Sequence, residues 1–161
     1  GADDYLNKPF SAEELLQRSK NLLLQREHLK KLFTSNYFVS PNKLTQNKVD
    51  QDFLEKAEAI VEKNLSNSDL SVEQFCQELT YNRSKVHLKL KALTGKNTSS
   101  FIKSIRLRKA ARLIKEENLN VNEIAEMTGF GSRETFNKAF KNQFNLTPTD
   151  FRKNEEPVPL A

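Results

Sequence analysis

Arg83, Ser84, His87 and Leu88 are answered, fifty positions later, by Arg133, Glu134, Asn137 and Lys138. Residues at i, i+1, i+4 and i+5 share one face of a helix, so each set presents a single patch of side chains to whatever lies opposite. The chemistry available there is recognition. An arginine fork fits two acceptors on a guanine edge, glutamate accepts from the cytosine amine, and a leucine can meet a thymine methyl. Neither set completes the converging nucleophile, acid–base pair and orienting group that catalysis needs. Two histidines and one cysteine supply no clustered metal ligands, so no enzymatic activity, metal or cofactor is expected.

These patches must be carried by helices whose other face is apolar. Val86, Leu90 and Leu93 form that face in the first set, and Phe136, Phe140 and Phe144 in the second. The match extends further back. Residues 70–76 (LSVEQFC) align with 119–125 (LNVNEIA) at an offset of 49, whereas Val86, Leu90, Lys91 and Phe101 align with Phe136, Phe140, Lys141 and Phe151 at an offset of 50. The chain therefore contains an internal repeat of a short helix, a tight turn and a longer helix, with one extra residue in the second turn. That turn is Thr128-Gly129-Phe130-Gly131, where glycine can take the positive φ of a sharp corner. The first copy turns through Leu79–Asn82 without glycine, and Asn82 suits an N-cap. Between the copies, residues 98–117 read as one helix with Phe101, Ile105, Ala110, Leu113 and Ile114 on one side. Such a helix spans roughly 30 Å, close to the ~34 Å of one turn of B-DNA.

Upstream, GADDYLNKPF reads as a short strand (residues 4–6) and a proline-punctuated turn. Ser11 and Glu14 have capping-box spacing. Leu15, Leu16, Leu22, Leu23, Leu29, Leu32 and Phe33 then form a helical stripe that must be covered by something. The polar, periodicity-poor residues 34–49 read as a linker, and helical spacing resumes with Phe53, Ala57, Ile60, Val61 and Leu65.

The charge balance supports a polyanionic partner. Across the whole chain Lys and Arg number 26 against 21 Asp and Glu, but residues 68–153 carry +7 and the remainder −2. Between Arg83 and Lys115 there are eleven basic residues and no acidic one. No apolar run approaches the roughly 18–20 residues of a membrane span, and the acidic start is unlike a signal peptide, so a cytoplasmic location is expected. Cys76, the lone cysteine, reads as a small core residue.

Residues 50–153, through SVEQFCQELTYNRSKVHLKLKALTG and FIKSIRLRKAARLIKEENLNVNEIAEMTGFGSRETFNKAFKNQFNLTPTDFRK, resemble the AraC/XylS family of transcription regulators. The resemblance implies an all-α fold of two helix-turn-helix subdomains joined by a long central helix. It assigns base reading to Ser84, His87 and Leu88 in the first unit and to Arg133, Glu134 and Lys138 in the second, with Arg83 and Asn137 on the same faces. Lys91, Arg106, Lys109, Arg112 and Lys141 are expected to contact phosphates or serve as structural charges, Arg106 and Arg112 by pairing with acidic neighbours. GADDYLNKPF, with the helix after it, resembles the end of a response-regulator receiver domain, in which Lys8 matches the lysine that contacts the phosphoryl group. The expected layout is a receiver remnant over 1–33, a linker over 34–49, the DNA-binding unit over 50–153 and a tail over 154–161. Together the two resemblances imply the output end of a hybrid two-component phosphorelay protein, its parent anchored in the inner membrane, with double-stranded DNA and RNA polymerase as partners.

Blander readings stand beside these. Any single surface lysine or arginine is as readily a solvated charge as a contact, His87 is as readily structural, and His28 reads as solvated. The alternative function is a helical interaction module with non-specific nucleic-acid binding, in which residues 11–33 pair between two copies of the chain.

Overall fold

A computed structural model describes residues 11–35 and 48–154. The strand expected at residues 4–6, Lys8, most of the linker and the tail beyond Asn154 lie outside them. Within the described residues every element is a helix: α1 (Ala12–Ser35), α2 (Lys48–Lys63), α3 (Val72–Glu78), α4 (Arg83–Thr94), α5 (Thr98–Glu116), α6 (Val121–Met127), α7 (Arg133–Phe144) and α8 (Pro148–Lys153).

Local chemistry sets these boundaries. Ser71 and Gln74 satisfy each other's backbone amides at the start of α3, and Asn120 and Glu123 do the same at α6, at the 49-residue offset of the repeat. Asn82, Asn97, Ser132 and Thr147 cap α4, α5, α7 and α8. Left-handed residues, Gly95 and Asn145, end α4 and α7. At α1 the Ser11 hydroxyl accepts from the Glu14 amide at 3.0 Å, while the Glu14 carboxylate accepts from Arg18 four residues on.

Two hydrophobic cores form. The first joins Phe53, Leu54, Ala57 and Val61 of α2 with Phe75 and Cys76 of α3, Val86, Leu90 and Leu93 of α4, and Phe101, Ile102 and Ile105 of α5. The second joins Leu107, Ala110, Ala111 and Ile114 of α5 with Ile124, Ala125, Phe130, Phe136, Phe140, Phe144 and Phe151. In the second, Phe140, Phe144 and Phe151 pack in tilted and edge-to-face pairs with centroids 4.3 to 5.3 Å apart. Each fully buried phenylalanine contributes roughly 1.5–3 kcal/mol relative to exposure.

The central helix differs from the one-sided pattern expected. At about 100° per residue, Phe101, Ile102 and Ile105 point roughly half a turn away from Leu107, Ala110, Ala111 and Ile114. Each half of α5 thus serves a different core from a different face, and Leu113 is only half-buried. α1 lies against α4, and none of its described side chains belongs to either core.

Candidate nucleic-acid interface

The turn geometry repeats with the sequence. Leu79, Thr80 and Tyr81 donate their amides to Phe75, Gln77 and Cys76, and Thr128, Gly129 and Phe130 donate to Ile124, Glu126 and Ala125 in the same pattern. Thr80 has φ 61° and Gly129 has φ 73°, so the left-handed position of the corner is filled by a β-branched residue in one copy and by glycine in the other. The register changes between Phe130 and the N-cap Ser132. Gly131 is therefore the inserted residue, and a side chain there would meet nothing within 4 Å.

After each corner, α4 and α7 expose equivalent faces. Arg83, Ser84, Leu88 and Lys91 are exposed with His87 half-buried, and Arg133, Glu134, Lys138 and Lys141 are exposed with Asn137 half-buried. All eight base-contact candidates thus fall on two matching faces. Leu88 is 67% exposed, a large apolar side chain turned outward from a helix whose other leucines, Leu90 and Leu93, are in the core. Arg83 is tethered to Glu73 of α3 at 2.5 Å, whereas Arg133 and Lys138 make no ion pair among the described residues. The Asn137 Oδ1 is buried without a hydrogen-bond partner among them.

The acid-free stretch is less free than its sequence reads, because its partners come from elsewhere in the chain. Arg108 is buried against Glu58 of α2 at 3.0 Å, and Lys89 pairs with Asp50 at 2.7 Å while its ammonium lies 4.9 Å from the Phe53 ring centroid. Arg106, expected at a phosphate or beside an acidic neighbour, is 8% exposed and donates to the carbonyls of Gly129 and Asn67. It is an internal latch. Burial lowers the pKa of both arginines and of the half-buried Lys96. Lys109 and Arg112 are half-buried on α5. Periodicity carries a signal for Arg108, which lies seven residues after Phe101 on the same helical face.

Two open clefts flank these faces. One, of about 590 Å³, is lined by Val72, Arg83, Ser84, His87, Leu88 and the start of α5 at Asn97, Thr98 and Ser99. The other, of about 500 Å³, brings Lys103 of α5 beside Glu134, Thr135 and Lys138 of α7. Thr98, Ser99 and Lys103 were not distinguished by sequence pattern. Among the described residues no group of three His, Cys, Asp or Glu side chains could hold a metal ion, and no helix is long and apolar enough to cross a membrane.

Comparison with known proteins agrees with this geometry. Residues 75–154 match the model of a helix-turn-helix domain. The chain is 30% identical over 88 residues to the probable transcription factor PqrA of Proteus vulgaris, covering 55% of this chain and 72% of that one. It is 38% identical over 152 residues to histidine kinase P4 of Formosa agariphila, covering 94% of this chain but only 11% of the kinase. A solved transcriptional regulator of Chromobacterium violaceum, described as having an AraC-type DNA-binding domain, superposes with a TM-score of 0.60 at 25% identity, over 66% of this chain and 95% of that one.

Proposed function

The chain belongs to the family of AraC-type helix-turn-helix DNA-binding domains, and from that membership we propose that it regulates transcription by reading two successive major-groove segments, one with α4 and one with α7. The observation that carries this reading is the repeated pair of faces: the same burial pattern, behind the same corner, on two helices that both pack against one 19-residue helix. That helix is roughly 30 Å long, close to the ~34 Å repeat of the groove. Because Ser84, His87 and Leu88 differ in chemistry from Arg133, Glu134 and Lys138, one copy of the chain reads an asymmetric site. The likeness to a histidine kinase over nearly the whole chain supports a place as the output module of a phosphorelay protein. RNA polymerase is the partner such a regulator would engage.

Selection of bound sequences from a random duplex pool, followed by anisotropy titration at physiological salt, tests the reading. Selected duplexes should bind on the order of 10³-fold or more tightly than scrambled ones. Equal binding of both would refute sequence-specific recognition.

A second reading rests on α1. Its Leu15, Leu16 and Leu23 are exposed, Leu16 to 70%, with Leu24 exposed beside them and Leu22 half-buried, so most of the stripe whose side chains are described is uncovered. Pairing of α1 between two copies would cover it and bring two asymmetric sites together. Light scattering at high concentration distinguishes the cases, and a strictly monomeric mass would exclude pairing.

A further inference from the structure

Thr98 opens α5 and is only 3% exposed, yet its Oγ1 is buried without a hydrogen-bond partner among the described residues while the residue lines the larger cleft. A buried hydroxyl left unpaired is less favourable than an apolar group of the same shape, so its presence calls for a cause. The fold does not supply one. The equivalent residue in the second copy is Pro148, at the start of α8, so the corner forms there with neither a hydroxyl nor an amide hydrogen at that position.

The surroundings of Thr98 favour an anion. Asn97 Oδ1 accepts from the Ser100 amide at 2.8 Å, and the amides of Thr98 and Ser99 are left without acceptors inside the helix. They stand at the positive end of a 19-residue helix dipole. Ser99 adds an exposed hydroxyl, and Arg83, Ser84 and His87 form the facing wall. None of the described lining residues is acidic. Glu73 accepts from one Arg83 nitrogen, and the remaining donors of that guanidinium stay available. The second copy lacks this character, because Glu134 replaces Ser84 and would repel an anion.

We propose that this cleft seats a single phosphate group, bound by Thr98 Oγ1, the Ser99 hydroxyl and the two amides, with Arg83 and His87 closing over it. Resting on the DNA-binding reading above, the group is a backbone phosphate at the edge of the groove that α4 enters. Its seat fixes the depth and register of that helix and moves Arg83 from base reading to phosphate positioning.

The full chain is titrated with its selected duplex after each backbone phosphate in turn is replaced by neutral methylphosphonate. At one position beside the α4 segment, wild-type affinity should fall about tenfold. Thr98→Val, which keeps the shape and removes the hydroxyl, should weaken binding to the unmodified duplex and be indifferent to that one replacement, with an unchanged or higher melting temperature. An unaltered affinity and methylphosphonate profile in Thr98→Val overturns the DNA assignment. In a second arm, inorganic phosphate is added without DNA at constant ionic strength, and the Thr98 and Ser99 amide resonances are followed. Shifts in wild type that vanish in Thr98→Val, with DNA binding unaffected, identify a free phosphate as the occupant. No response in either arm overturns the seat itself. Should the chain prefer no duplex at all, the DNA reading fails while the phosphate titration still decides the seat.

Discussion

The Arg106 guanidinium donates to the backbone carbonyl of Gly129 across 2.9 Å, latching the central helix to the corner of the second helix-turn-helix. Another of its nitrogens donates to the Asn67 carbonyl in the segment between α2 and α3. The two units are thus held by a cross-tie as well as by the shared helix. Gly129 is what allows it. A Cβ there would stand 2.4 Å from the Leu65 carbonyl oxygen and 2.8 Å from Arg106 Cζ, on a backbone with φ +73°. Gly129→Ala should therefore cost roughly 2–4 kcal/mol, read as a lower midpoint in urea unfolding.

Removing the latch itself tests whether it sets the spacing of the two helices proposed to read DNA. Arg106→Met fills much of the same volume but leaves two carbonyls without their charged donor, a loss on the order of 2–4 kcal/mol. The functional effect should be selective. Affinity for a duplex carrying both groove segments should drop more than affinity for one carrying only the α7 segment, and equal losses would show that the helix alone holds the spacing.

Thr80 occupies the left-handed corner that Gly129 fills in the other copy, with φ 61°. A β-branched residue pays a steric penalty there that glycine avoids, and its hydroxyl only bonds the adjacent Leu79 carbonyl at 2.7 Å. Thr80→Gly is expected to raise stability by about 1 kcal/mol, visible as a higher melting temperature. A loss instead would show that the hydroxyl holds the corner.

These corners also show which parts of the structure could be read from residue types. The repeat, its one-residue insertion and the Asn82 cap depend on local spacing, and the helices follow them. The two faces of α5 were not legible as such. Phe101, Ile105, Ala110 and Ile114 are all apolar at helical intervals, and only the partners brought by the fold divide them between two cores. The same limit applies to charge. Counting no acids between Arg83 and Lys115 misses Glu58, Asp50 and Glu73, which arrive from α2 and α3 to occupy Arg108, Lys89 and Arg83. The outward faces of α4 and α7 were legible because amphipathic spacing fixes them. The unpaired Thr98 hydroxyl was not, since its burial depends on residues distant in sequence.

The Arg108–Glu58 pair carries a pH signature. Burial raises the Glu58 carboxyl above its ordinary value of 4.5, Arg108 and Arg112 oppose that rise, and Glu62 and Glu55 reinforce it. The folded chain therefore holds this proton more tightly than the unfolded one. The associated stabilisation is complete below the unfolded value and is lost as pH rises through the folded one. Glu58→Gln cannot titrate, so the stability of wild type minus that of Glu58→Gln should fall as pH rises above 4.5. A difference that grew over this window would mean that pairing with Arg108 outweighs burial.

The base reading and phosphate anchoring proposed for α7 can be separated with two substitutions. Arg133 is exposed near the start of the helix and makes no ion pair among the described residues, so its whole donor fork is available to a guanine edge. Arg133→Ala should cost about 1–3 kcal/mol on the selected site and relax preference at one base position. Lys141, two turns along and also exposed, is the proposed phosphate contact. Lys141→Ala should weaken selected and scrambled duplexes alike and reduce the slope of log affinity against log salt by about one. If Arg133→Ala instead lowered both affinities equally and left base preference intact, Arg133 would be a backbone contact, and sequence reading by the second unit would fall to Glu134 and Lys138.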